Sequence, residues 1–369
     1  MNKKNILITA FIAISVGCTG FFLACRPTAP SPQTTLTKVR FGISPFQDTL
    51  VPIVGQGKNW YIDEGLDVEF SFLGWTEVME ALSAGHVDVA VNNIYAVVAD
   101  HPQNPNLIYY YGFNPFDRGA ALMIRPDGRM KTIDQIMKEY PDRATAIRMT
   151  ALQLKNKTVI TTGNSDMEQS VMAAARKAGL VPQKDFKIID LDPDNGLAAF
   201  IRGEGDAYLG GVPQRTEAEK RGMLEMLTGL DLGPPPINGL VTTKQYAEAH
   251  QDELLRILHV WFKTVNYIDS NLDDGASIIV KQMRANGSDF TNEDFKKYWN
   301  NYESYPSSPQ EVQQLILDPN GKNYWKAQWD DCNFYLQDIT GRITQPVKAE
   351  DAFWMERAQK AYTDKYGWQ

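Results

Sequence analysis

Apolar and polar positions along this chain switch repeatedly between a period of two and a period near 3.6, the marks of strand and helix. Residues 74–93 show one full cycle. Thr76 stands where a hydroxyl caps a helix start, Glu77 and Glu80 suit the positive end of its dipole, and Met79 and Leu82 share a face. Gly85 can take the left-handed conformation that ends a helix, and Val87, Val89 and Val91 then alternate as a strand. The cycle returns over residues 197–211. In both copies an alanine (Ala81, Ala199) lies four positions before a glycine (Gly85, Gly203), and an aspartate (Asp88, Asp206) follows that glycine by three. One unit used twice predicts a chain with two similar halves.

The same grammar predicts strands at 39–43, 67–72, 106–112, 120–124, 158–161, 186–191 and 239–243. A helix is expected at 49–57, with Pro52 in its first turn. Ser165 and Glu168 form a capping-box pattern for another, and Asp194 is expected to cap a third. Residues 251–271 form an amphipathic helix, with Leu254, Leu255, Leu258, Trp261, Phe262 and Val265 on one face. Residues 128–155 read as a surface insertion of two helical pieces that joins the halves. Beyond Asn300 the chain is aromatic and irregular until a final helix at 349–366. Strands alternating with helices at this rhythm predict an α/β fold of mainly parallel sheets flanked by helices.

Composition adds a location and removes some functions. The 369 residues are 43% hydrophobic, ample for two α/β domains, and a net charge of −8 without a long basic run excludes a nucleic-acid partner. Lys3 and Lys4 precede an uncharged stretch at 6–24 that ends Phe22-Leu23-Ala24-Cys25. This resembles a lipoprotein signal peptide (1–24), with Cys25 the lipidated first residue of the mature chain. Simple cleavage, a retained anchor, or use of Cys18 are the alternatives; each places the body of the protein outside the cytoplasm. Residues 25–38 are rich in Pro, Ser and Thr and read as a flexible tether. If Cys25 is modified, only Cys332 remains, so no internal disulfide is expected, and no metal-ligand spacing occurs. No G-x-S-x-G, H-E-x-x-H or Walker-type loop is present. His86, His101, His250 and His259 fall off the candidate loops, and Trp325, Trp329 and Tyr335 read as core packing. No cofactor, metal or enzymatic activity is expected.

Four segments in order carry a family resemblance: FGISPFQDTLVPIVGQGKNWYIDEGLDVEF, EALSAGHVDVAVNN, KNKTVITTGNSDMEQSVMAAARKAGLVP and AAFIRGEGDAYLGGVPQ. Together they resemble solute-binding proteins of ABC importers, in the nitrate, sulfonate, taurine and thiamine-precursor group. The resemblance implies a two-lobed periplasmic-binding-protein type II fold. Lobe I would hold 39–119 and 238–369, with an aromatic extension from about 302, and lobe II would hold 120–237. Hinge closure about a small polar ligand, delivery to an ABC permease with its ATPase, a membrane lipid anchor and a monomeric state are implied as well. The rival readings are a same-fold enzyme, a menaquinone-pathway lyase or a pyrimidine synthase, and a sensor module coupled to a membrane receptor.

Ligands of open parallel sheets lie beyond the carboxyl ends of the strands. That rule and the resemblance select the same loops. Lobe I offers Ser44, Phe46, Gln47 and Asp48, then Trp75 and Thr76, then Asn92 and Asn93. Lobe II offers Thr162, Gly163, Asn164 and Ser165, then Gly210 and Gly211, and Arg118 lies near the first crossover. Phe46 and Trp75 can stack on a flat ligand or seal the hinge. Thr76 and Ser165 open helices whose free amides can face an anion or a carbonyl. Asn92 and Asn93 orient a ligand or form a turn. Arg118 pairs with an anionic ligand, bridges the lobes or is solvated. Asp48 is a candidate selector of an amino or cationic group. With few cations on these loops, the expected ligand is neutral or zwitterionic and ring-containing. Asp88 and Asp206 sit at the wrong ends of their strands for a cleft and are expected to serve turns and caps.

Overall fold

The computed structural model describes residues 36–303 and 305–368; the leader, Cys25 and the tether as far as Thr35 lie outside them. Among the described residues, ten strands form two sheets. β1 (Thr37–Ile43), β2 (Leu66–Phe72), β3 (Val89–Asn93) and β4 (Leu107–Pro115) belong to the first. β5 (Ala121–Ile124), β6 (Thr158–Thr161), β7 (Lys187–Asp190), β8 (Ala207–Tyr208) and β9 (Leu224–Thr228) form the second, and β10 (Ile237–Thr243) returns to the first. The orders are β2-β1-β3-β10-β4 and β7-β6-β8-β5-β9. In each sheet one strand (β1, β6) pairs in parallel with both neighbours, and a strand supplied by a crossover (β10, β5) pairs antiparallel beside them. The two halves therefore share one topology, as the repeated unit predicts.

The repeated aspartates explain why the unit recurs. Asp88 Oδ2 accepts the Arg40 backbone N–H at 2.8 Å, while the Asp88 N–H donates to the Arg40 carbonyl at 2.8 Å. Asp206 does the same with Thr158, at 2.9 and 2.7 Å. Each carboxylate thus fixes the register of a β3-type strand against the start of the central parallel strand. Gly85 (φ 72°) and Gly203 (φ 104°) make the left-handed turns that bring the aspartates there. These residues do more than the turn and capping role expected of them.

Several local expectations need correction. Thr76 makes no capping bond; instead the Glu77 carboxylate accepts from the Gly74 N–H at 2.9 Å. Asp192, not Asp194, caps the helix Pro193–Ile201, by accepting from Asn195. The insertion carries its two helices, Ile133–Met137 and Arg143–Leu152, but ties itself to Asp231, just after β9, through an Arg143 ion pair at 2.7 Å. Strand β9 is an edge strand without clean alternation, and its pattern was not legible. The aromatic tail is largely helical, with a helix at Trp325–Phe334 and another at Met355–Tyr366. Trp325, Trp329 and Tyr335 are buried there, and Trp325 stacks on Phe353 with centroids 3.9 Å apart.

The tail spans both sheets' helical layers. Tyr335 packs against Tyr95 of the first half. Asp331 accepts from Gln169 Nε2 at 2.7 Å and Arg176 Nη2 at 2.5 Å, both on the second half's helix Asp166–Lys177.

Replacing Asp206 with alanine strips the Thr158 N–H of its acceptor and is expected to cost about 1–3 kcal/mol. Asp88→Ala should cost at least as much, because Asp88 also holds the Arg40 guanidinium. Urea unfolding checks this: the midpoint should fall with an unchanged slope, and an unchanged midpoint would refute the pinning role.

Candidate functional site

The carboxyl ends of β1, β2, β6 and β8 converge on a small cavity of about 40 Å³. From the first half come Phe46, Gln47 and Asp48 after β1 and Trp75 after β2; from the second come Asp166, Met167 and Ser170 after β6, and Leu209 to Val212 after β8. Phe116 and Ala120 on the outgoing crossover, and Pro236 with Asn238 on the return, complete the wall. The two crossovers are hydrogen bonded to each other, Phe116 N–H to the Pro236 carbonyl at 2.8 Å. The wall is therefore shared by both halves and by the hinge between them.

Six of the expected residues line this cavity: Phe46, Gln47, Asp48, Trp75, Gly210 and Gly211. The Phe46 and Trp75 rings meet edge-on at 6.0 Å, and a Cβ on Gly211 would lie 3.7 Å from Phe46, so the halves touch there. The remaining expected residues stand elsewhere. Ser44 is fully buried beneath the loop, its carbonyl accepting from the Thr49 hydroxyl. Thr76, Asn92, Asn93, Asn164 and Ser165 line a separate, neighbouring recess closed by Arg342. Asn92 Nδ2 donates to the Trp75 carbonyl at 3.2 Å, and Asn93 caps the helix Ile94–Asp100 by accepting from Ala96. Asn92 thus holds the Trp75 loop of the wall from behind, and Asn93 holds the helix after β3. Thr162 donates to the Leu191 carbonyl, and the Gly163 N–H is taken by Asp190. Arg118 is half exposed and reaches back to the Glu303 carbonyl and Asp117.

Asp166, Asn238 and the crossover residues were missed. Asp166 reads in sequence as an ordinary acidic first-turn residue, and only the opposing lobe shows that it faces a cleft. Its Oδ1 accepts from Trp75 Nε1 at 3.0 Å, a bond that crosses the cleft. Burial raises its pKa, against which Trp75 and Asn93 act. This carboxylate occupies the helix start whose amides looked available to an anion, and the Met167 N–H is already used by the Ser165 hydroxyl at 3.2 Å. Asp48 accepts from Asn238 Nδ2 at 2.7 Å. Burial pushes its carboxyl up to about 6, with the charge of Asp166 adding and the Asp48 and Thr49 amides and Asn238 opposing. No lysine, arginine or histidine is among the described residues of the wall. Among the described residues no group of three or more His, Cys, Asp or Glu could hold a metal ion.

Two crossover-linked lobes of matching topology, with a cavity at their carboxyl edges, define a two-lobed periplasmic-binding-protein fold. The chain belongs to the NMT1-like family, whose model matches residues 32–281. Among solved structures it is similar to the periplasmic aliphatic sulphonate-binding protein SsuA from Escherichia coli. They share 17% identity and a TM-score of 0.63 over 84% of this chain and 93% of that one. The alkanesulfonate-binding SsuA from Xanthomonas axonopodis bound to MOPS gives 14% identity and a TM-score of 0.65 over 86% and 98%. The periplasmic nitrate-binding protein NrtA from Synechocystis gives 14% and 0.63 over 90% and 89%. In sequence, the chain is 36% identical over 97 residues to a Bacillus subtilis protein named for binding aliphatic sulfonates. That match spans 26% of this chain and only 29% of the relative's length.

Asp48 has a defined pH signature. Its folded carboxyl titrates above the unfolded value, so its favourable contribution is present below about pH 4 and is lost as pH rises through about 6. Asp48→Asn removes this term. Between pH 4 and 7 the wild type should therefore lose up to about 3 kcal/mol relative to the variant. Urea unfolding of both at pH 4.5 and 7.5 measures the difference, and a constant difference would overturn it.

Proposed function

We propose that this chain is the extracytoplasmic solute-binding component of an ABC-type importer, which closes its lobes around a small organic molecule and presents the closed form to a permease with its ATPase. The observation that carries the reading is the cavity walled by both lobes and both crossovers, since only a hinged pair of lobes encloses a ligand this way. Membership in the NMT1-like family and the sulfonate- and nitrate-binding relatives support it. Lobe I comprises 39–119 with 238–369 and lobe II comprises 120–237 in this reading. The cleft residues above, with the neighbouring Thr76, Asn92, Asn93, Asn164 and Ser165 recess, make up the binding region. The protein acts as a monomer without catalysis, tethered to the outer face of the cytoplasmic membrane through a lipid on Cys25. Among the described residues, no helix is long and apolar enough to cross a membrane.

The expected result with purified mature chain is a ligand-dependent rise in unfolding temperature, corresponding to about 2.7 kcal/mol at a hundredfold excess over Kd. X-ray scattering should show a more compact closed form on saturation, and Trp75 should report closure by fluorescence. A chain that binds nothing across sulfonates, nitrate, amines, pyrimidines and nucleobases, and keeps one shape throughout, would sink the reading. Palmitate labelling lost in Cys25→Ala tests the anchor separately.

A further inference from the structure

The cleft's hydrogen-bonding capacity is lopsided. Its side-chain donors are already engaged within the wall: Trp75 Nε1 on Asp166, Asn238 Nδ2 on Asp48, and Ser170 Oγ on the Asp166 carbonyl at 2.9 Å. Gln47 Nε2 lies 3.4 Å from Asp48 Oδ1, the longest of the set. Among the side chains of the wall, what remains is acceptors. Gln47 is 1% exposed, lines the cavity, and its Oε1 has no partner among the described residues. Asp48 and Asp166 face the same space from opposite lobes, with no cation on the wall to neutralise them. An unpaired buried acceptor costs about as much as a lost hydrogen bond, and an uncompensated buried charge costs more. The occupant that removes both costs donates N–H bonds and carries positive charge. A sulfonate or nitrate does neither, and would set its own charge against two carboxylates. The Phe46, Trp75 and Phe116 rings at the cavity offer π faces or edges of the kind that accompany organic cations in aromatic-lined sites.

We propose that the cleft takes a small organic cation bearing N–H groups, held between the Asp48 and Asp166 carboxylates and the Gln47 amide oxygen beside the Phe46 and Trp75 rings. The inference rests on the solute-binding reading and names its ligand class. It sets this chain apart from the relatives named for sulfonates and nitrate, whose shared fold does not carry over the charge of the cleft. Ligand charge also favours closure: a cation between carboxylates contributed by opposite lobes attracts both.

The test is calorimetric titration of the mature chain with methylammonium, guanidinium and imidazolium at millimolar concentrations, alongside methanesulfonate, taurine and nitrate, with tetramethylammonium as a cation lacking N–H. At least one N–H cation should bind and compact the protein in scattering, and tetramethylammonium should bind at least about tenfold more weakly. Asp166→Asn keeps an acceptor for Trp75 Nε1 and should weaken the cation by about tenfold or more, with the fold confirmed by its unfolding temperature. Asp48→Asn provides a second, independent loss. The ionisable groups around Asp48 are Asp166, Glu303, Tyr298 and Tyr305, none of them cationic. Cation affinity should accordingly fall as pH drops through about 6. Binding of an anion or of taurine without any cation overturns the proposal while leaving the solute-binding reading intact. Cation binding indifferent to both variants overturns it too, and binding of no probe, with no change of shape, removes both.

Discussion

A carboxylate can leave water only where donors meet it, and the cleft of this protein is arranged around two carboxylates that have done so incompletely. Asp166 takes the Trp75 indole N–H from the opposite lobe. Asp48 takes the amide of Asn238, at the return crossover. The first bond therefore ties a carboxylate to the opposite lobe, whereas the second holds Asp48 within its own lobe, beside the crossover. The loop carrying Trp75 is fixed in turn by Asn92, and the helix after β3 by Asn93. Residues that do not line the cavity thus determine where the Asp166 carboxylate rests.

A second pair of carboxylates, Asp88 and Asp206, does the opposite work. These are fully matched, each to a backbone amide of the central strand, and lie at the amino ends of the sheets. The contrast separates scaffold from site on physical grounds. Where a carboxylate is matched to a backbone amide at the amino end of a strand, the interaction fixes register. Where a carboxylate faces the cavity and acceptor capacity is left over, that capacity is available to a ligand.

Much of the architecture was legible because its period is local. The alternation in β1 to β3, the helix stops at Gly85 and Gly203, and the long helix Gln251–Ser270 all follow from neighbours in sequence. The loops that carry the cleft followed from the rule that ligands sit at the carboxyl ends of parallel strands. Which side chains turn inward did not follow. Asp166 looks like any acidic residue at a helix start, and Arg118 looks like a ready anion partner. Only tertiary placement sends the first into the cavity and the second toward Asp117. The final helix of the tail was legible, but the helix Trp325–Phe334 reads as irregular because its aromatic residues pack in more than one direction and give no clear apolar face.

That tail bears on how the lobes move. Asp331 joins Gln169 and Arg176 of lobe II, Lys322 pairs with Asp117 at the crossover, and Arg342 contacts both the Asn164 carbonyl and Asp100. A buried ion pair attaches firmly only while its partners stay in place, because separating them exposes an uncompensated charge. The Asp331 contacts are largely buried, whereas Arg342 and Asp100 are each about one-third exposed and exchange with water at lower cost. Opening is therefore easier at the Arg342 edge, beside the recess next to the cleft, than at Asp331. The hinge axis should run through the two crossovers, joined by the Phe116–Pro236 bond; opening should break the Trp75–Asp166 bond, which crosses the cleft, and leave the Asp48–Asn238 bond, within lobe I, intact.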